Sequence, residues 1–173
     1  MEISNKGMRV TSIHPMFGPD TALLSGKHVV FMNLDEHKTH LEIMKLFEST
    51  TAQLIEMSID SHDFAISYVL GLSHIINIAF SKVLHDSGES KEEFSKLSST
   101  TFKDQLEVAE RVSKENPNLY YEIQHLNSHS MQTIEELNRV TKEITDAITN
   151  GSEEEFVQIM HAGKKYFEDS NCE

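Results

Sequence analysis

FAISYVLGLSHIINIAF, residues 64–80, carries apolar side chains almost all the way round a helix. Phe64, Ile66, Val69, Leu70, Leu72, Ile75, Ile76, Ile78, Ala79 and Phe80, with Val83 just beyond, leave no polar face. A helix apolar on every side must be covered on every side. The pattern predicts one helix from about Ile59 to Leu84, either central to the domain or covered by a second copy of the chain. Ser87-Gly88 ends it. Its most apolar run, Tyr68 to Phe80, is interrupted by Ser73, His74 and Asn77 and falls short of the ~20 residues a membrane helix needs.

Towards the N-terminus the period changes. Met8–Ile13, Lys27–Met32 and Gln53–Met57 read as short strands, rich in β-branched and large apolar residues. Asp35 is placed to cap a helix reaching about Phe47. Between the first two strands stands Ser12-Ile13-His14-Pro15-Met16-Phe17-Gly18-Pro19-Asp20. Two prolines lack backbone donors and Gly18 admits positive φ, so this reads as a stiff loop with His14 at the strand tip. Binding and catalytic residues concentrate on such loops.

Towards the C-terminus only helices are expected. Ser90 with Glu93 forms a capping box, and Thr101–Lys114 follows. Asn116-Pro117 gives an N-cap with proline at the first helical position. Leu119, Ile123, Leu126, Ile134, Leu137, Ile144 and Ile148 predict one long helix, with Ser130 interrupting its stripe. Gly151 stops it, and Ser152 with Glu155 opens a last helix whose apolar face is Phe156, Ile159, Met160 and Phe167. The fold class is therefore mainly α: a strand-loop-strand-helix start over about residues 8–57, then an all-helical remainder.

A chain of 173 residues, 38% hydrophobic and 25% charged, suits a soluble globular domain. The net charge of −13 argues against nucleic acid and anionic membrane as partners, since phosphates require a basic patch, though it leaves room for a local basic pocket. Cys172 is the only cysteine, so no intramolecular disulfide forms, and a reducing, cytoplasmic setting is expected. Metal is not expected. His125 and His129 have helical ligand spacing but no third ligand, and His37 with His40 fares no better. Ser12 lacks the glycines of a nucleophile elbow.

HPMFGP, His14 to Pro19, resembles the signature loop of prephenate dehydrogenase, which oxidatively decarboxylates prephenate with NAD. The resemblance extends through Ser61-His62-Asp63, His74, Phe102-Lys103 to Arg111, then Asn116-Pro117, Tyr120 and Ile123. It covers roughly residues 8–165 and matches only the C-terminal half of that enzyme. It implies that residues 1–57 complete the edge of a nucleotide domain, and that 58–173 form a substrate-binding and dimerisation domain paired as a homodimer.

The resemblance also implies roles. His14 accepts the proton of the substrate's 4-hydroxyl as that group becomes a carbonyl. Arg111 binds a carboxylate through its guanidinium; the plain alternative is an exposed arginine paired with Glu107. His74 lies near the substrate, or is simply a core histidine. His62 either contacts substrate or, with Asp63 at the helix start, serves capping and orientation. Lys103 and Asn127 are further substrate-side candidates, and Met16, Phe17 and Gly18 would face the nicotinamide.

The cofactor, NAD or NADP, has no cradle in these residues. Gly7, Gly18, Gly26, Gly71, Gly88, Gly151 and Gly163 include no GxG. Its nucleotide domain is expected elsewhere, in cis or in trans, with no turnover by this chain alone. The opening residues Met1–Gly7 resemble the family's interdomain connection. Arogenate is an alternative substrate and tyrosine a candidate feedback ligand. A non-catalytic helical dimer serving as a regulatory or ligand-binding module is the alternative from another class.

Overall fold

The computed structural model describes residues 9–18, 20–34 and 38–169. The chain divides into two compact units, Met1–Ile66 and Ser67–Glu173.

In the first unit three strands form one sheet in the order β1 (Thr11–Pro15), β2 (His28–Asn33), β3 (Gln53–Met57). β1 is antiparallel to β2, with His14 opposite Val30, and β3 runs parallel to β2. A parallel pair needs a crossover. Here α1 (Thr39–Met44), continued by a 3₁₀ turn to Phe47, supplies it. Val29, Val30, Phe31 and Met32 are all buried, because β2 is the middle strand and both α1 and α2 (Ile59–Ile66) pack against it. Phe47 meets Phe31 edge-on at 5.4 Å.

The first strand differs from the sequence expectation. It begins at Thr11 and runs through His14 to Pro15, so His14 is a strand residue rather than the head of a loop. Proline is tolerated because β1 is an edge strand and Pro15 is its last residue. The ladder resumes at once, Met16 N–H donating to the His28 carbonyl at 2.9 Å. Gly18 does not use the positive φ open to it; its carbonyl accepts from Thr21 N–H at 3.2 Å. The proposed cap Asp35 lies outside the described residues. The described helix starts after Lys38, itself left-handed at φ 52°.

One continuous helix covers Ile59–Asp86, close to the predicted span. It is α-helical through α2, π-helical over Ser67–Leu72, and α-helical again in α3 (Ser73–Asp86). The rest of the second unit is α4 (Lys91–Lys96), α5 (Thr100–Ser113), α6 (Pro117–Leu126), α7 (Ser130–Asn150) and α8 (Glu153–Asp169). The caps fall where the sequence put them: Ser90 accepts from Glu93 N–H, and Asn116 from Asn118 N–H with Pro117 first in α6. Ser99 caps α5 in the same way.

The single helix expected from Leu119 to Ile148 is instead two. Asn127 leaves the helical region at ψ 120°, and its Oδ1 accepts the His129 N–H at 2.9 Å. That turn places His125 on α6 and His129 at the head of α7, so the helical metal spacing does not exist.

α3 packs on α5, and α7 packs on the π-helical turn. Small residues (Ser67, Gly71, Ser130, Thr133) are buried in these helices, and Ser67 Oγ meets Thr133 Oγ1 at 2.8 Å. Burial of the long helix within one chain is partial: Val69 is 56% and Val83 69% exposed. At 28 residues it is also long and apolar enough to span a membrane by length and composition, which counting Tyr68–Phe80 alone understated. One polar side chain on it, Asn77, is engaged with protein. Asn77 Oδ1 accepts from Gln105 Nε2 at 2.9 Å, and Asn77 Nδ2 donates to the Ser73 carbonyl.

Candidate functional site

In the first unit, strand alternation sends Ser12 and His14 to one face of β1. His14 there meets α2. Its Nδ1 lies 2.8 Å from His62 Nε2, with ring centroids 5.1 Å apart and planes inclined by 68°. His62 is engaged at its other nitrogen as well, Nδ1 standing 2.8 Å from Asp63 Oδ1. The three side chains form a chain from half-buried His14 through His62, 13% exposed, to Asp63, 34% exposed. Burial lowers the His14 pKa from 6.5, and the neighbouring His62 lowers it further. A neutral imidazole with Nε2 unpartnered among the described residues is a competent proton acceptor.

In the second unit His74 stands two residues past the π-helical turn. Such turns widen the hydrogen-bond spacing and free carbonyls, and they recur at functional sites. Here the carbonyls are claimed: Val69 and Leu70 by Ser73 Oγ, Gly71 by Gln124 Nε2 at 2.8 Å. His74 stacks on Tyr120, ring centroids 4.1 Å apart and planes 20° from parallel. Its Nδ1 is buried with no hydrogen-bond partner among the described residues. Burial lowers the His74 pKa, opposed by the Glu115 carboxylate; burial and then Glu115 raise that of Tyr120. Tyr120 and Gln124 also line an apolar cavity of about 460 Å³ with Ile75, Ile78, Val112 and Pro117.

A family model described as prephenate dehydrogenase, dimerization domain, matches residues 58–162. The chain belongs to that family. A "Probable arogenate/prephenate dehydrogenase" of Methanocaldococcus jannaschii is 28% identical over 165 residues, covering 94% of this chain and 37% of the relative. The T-protein of Enterobacter agglomerans is 22% identical over 92% of this chain and 43% of its own length. The chain thus spans well under half of these proteins. Prephenate dehydrogenase from Aquifex aeolicus, solved with hydroxyphenyl propionate and NAD+, superposes with a TM-score of 0.71 at 22% identity, covering 93% of this chain and 59% of that one. Synechocystis arogenate dehydrogenase gives 0.68 at 15% identity, with 92% and 61% covered. At these identities the likeness is one of fold.

The dimerisation-domain match encloses His62, His74, Lys103, Arg111 and Asn127 and leaves His14 outside it. Arg111 is exposed in the last turn of α5, and its guanidinium has no partner among the described residues. The pairing with Glu107 does not form; that helix's ion pairs run instead from Glu110 to Lys91 and Lys114. Lys103 is exposed in the first turn of α5, about 12 Å along the axis from Arg111 at 1.5 Å per residue. Asn127 serves the turn between α6 and α7. Met16 and Phe17 are half-buried and Gly18 is exposed.

The sequence reading placed His62 among substrate contacts or caps; the structure sets it against His14. Asp63 was visible beside it in sequence. Gln124 carried no signal, being one more polar residue on a helix.

A dinucleotide needs glycines where a strand turns into a helix, so that backbone reaches the pyrophosphate. The two such crossings here, Leu34–Lys38 from β2 to α1 and Ser58 from β3 to α2, contain none. These crossings do not form a Rossmann-type cradle for the pyrophosphate of NAD or NADP.

Proposed function

We propose that this chain is the substrate-binding and dimerising part of a dehydrogenase that oxidatively decarboxylates prephenate to 4-hydroxyphenylpyruvate in tyrosine biosynthesis. The observation that carries this reading is the state of His14. Its Nδ1 is held by His62, burial keeps its ring neutral near pH 7, and Nε2 is left to accept a proton. In this reading the substrate's 4-hydroxyl gives up its proton to that nitrogen as it becomes a carbonyl. Arg111, with no partner among the described residues to displace, takes a carboxylate in bidentate fashion. His74, with Tyr120 behind it, offers a flat surface to the ring, while Lys103 and Asn127 are weaker contributors. The hydride acceptor, NAD or NADP, comes with another domain, in the same polypeptide or a separate one.

Calorimetric titration with prephenate, arogenate and tyrosine is the first test. Prephenate is expected to bind, with at least tenfold loss in Arg111→Ala. The chain alone is expected not to turn over. Fused to or mixed with a relative's nucleotide-binding domain it should do so, and His14→Asn should lower the rate by roughly 10²–10⁴-fold, the usual worth of a general base. Failure of all three ligands to bind overturns the reading. Tighter binding of arogenate, which has an amino group where prephenate has a keto group, makes that the substrate. The alternative from another class is a non-catalytic ligand-binding module. Binding without turnover, even with the nucleotide domain supplied, would establish it.

A further inference from the structure

The geometry points to Asp63, acting through His62, as the device that fixes His14 in its Nδ1–H tautomer, so that the lone pair presented to a substrate hydroxyl is on Nε2. The inference rests on the proposed role of His14, and it follows from counting protons along the chain. An ionised carboxylate only accepts, so at 2.8 Å from Asp63 Oδ1 the His62 Nδ1 must carry a hydrogen. When both rings are neutral, the His62 lone pair is on Nε2. That lone pair faces His14 Nδ1 at 2.8 Å, so Nδ1 must be the donor and His14 Nε2 is bare. The reverse order sets His62 Nδ1 lone pair against carboxylate oxygen, and two acceptors do not rest at that distance. The tautomer of a histidine is set by the bond its other nitrogen makes. Here the setting is two bonds long and anchored by a charge-assisted one, the stronger kind.

His62 and Asp63 are thus positioning residues, and neither needs to touch substrate. The in-register neighbour of His14, Val30, offers no side-chain hydrogen bond. The 13% exposure of His62 keeps most water from substituting for either bond.

Long-range ¹H–¹⁵N correlation of the histidine rings in the 173-residue chain, above the ordinary histidine titration range, reads the tautomer directly. Wild type is expected to show His14 protonated at Nδ1. His62→Gln keeps that state, because the glutamine carbonyl still accepts. His62→Leu and Asp63→Asn move His14 towards the Nε2–H form, with an unchanged backbone amide spectrum showing that the fold persists. A wild-type His14 protonated at Nε2 overturns the inference, as does a His14 tautomer indifferent to both variants. Adding prephenate separates this from the functional reading. Unmoved His14 resonances count against the role of His14, while the tautomer result stands by itself.

Discussion

His74 lies flat on Tyr120, 4.1 Å between ring centroids, and its depressed basicity comes first from burial. Removing the tyrosine ring lets water reach the imidazole and stabilises its charged form. Tyr120→Ala should therefore raise the His74 pKa towards the ordinary 6.5, read by NMR titration of the ring protons. Tyr120→Phe should leave it nearly where it is, since the ring and not the hydroxyl does the covering. A pKa that ignores Tyr120→Ala would mean that other groups bury His74.

Two histidines with lowered pKa values, His14 and His74, make folding stability depend on pH with a definite sign. Below 6.5 the unfolded chain binds protons that the native chain refuses, so unfolding gains as pH falls. The loss begins near 6.5 and is complete below the lowered native values. Urea midpoints should therefore fall between about pH 7.5 and about pH 5.5, and less steeply in His74→Gln. Glu110 does not confuse this window. Its carboxyl is pulled down to about 2 by Lys114 and Lys91, so its own contribution fades only at far lower pH.

Two glycines should respond to alanine with opposite signs. Gly151 ends α7 in the left-handed region at φ 67°, and the next N–H, that of Ser152, donates back to the Ala147 carbonyl at 2.9 Å. A side chain there is strained, so Gly151→Ala should cost roughly 1–2 kcal/mol. Gly163 sits within α8 with open space where a Cβ would go. Gly163→Ala should stabilise by about 0.5–1 kcal/mol, the helix-propensity difference. Urea unfolding at constant slope measures both.

Most of the helical architecture was legible because its signals are local. Ser90 and Asn116 mark helix starts by the chemistry of their own side chains, and Gly151 marks a stop by its lack of one. The break at Asn127–His129 had a local signal that went unused: no apolar side chain stands between Leu126 and Met131. β1 was cut short for a tertiary reason, since only its edge position lets Pro15 end the strand. Nor could the sequence pair His14 with His62. They are 48 residues apart, and what joins them is how α2 packs on the sheet.

The long helix leaves Val69 and Val83 exposed, and α8 leaves Met160 and Phe167 so. A second copy of the chain would cover these side chains, and burying each is worth about 1.5–3 kcal/mol. Sedimentation should give twice the 19.7 kDa chain mass. Val69→Glu combined with Val83→Glu should shift it to monomer while helical circular dichroism persists. A monomeric wild type would remove the second copy as the cover for this face.

Asn77 and Gln105 join α3 to α5 through one hydrogen bond at 2.9 Å, and Asn77 is only 6% exposed. Its Nδ2 is satisfied on its own helix by the Ser73 carbonyl, so Gln105 is the partner that satisfies Oδ1. Truncating one side of such a pair leaves a buried polar group unpaired, at about 1–3 kcal/mol; replacing both by apolar groups removes the demand together with the bond. Asn77→Leu and Gln105→Leu should each destabilise, and the double variant should cost clearly less than their sum. The difference, about 0.5–3 kcal/mol for residues in contact, is the coupling a double-mutant cycle reports. Strict additivity would mean that each amide finds water as readily as the other. The α3–α5 packing would then rest on its apolar contacts alone, Phe80 against Phe102 among them.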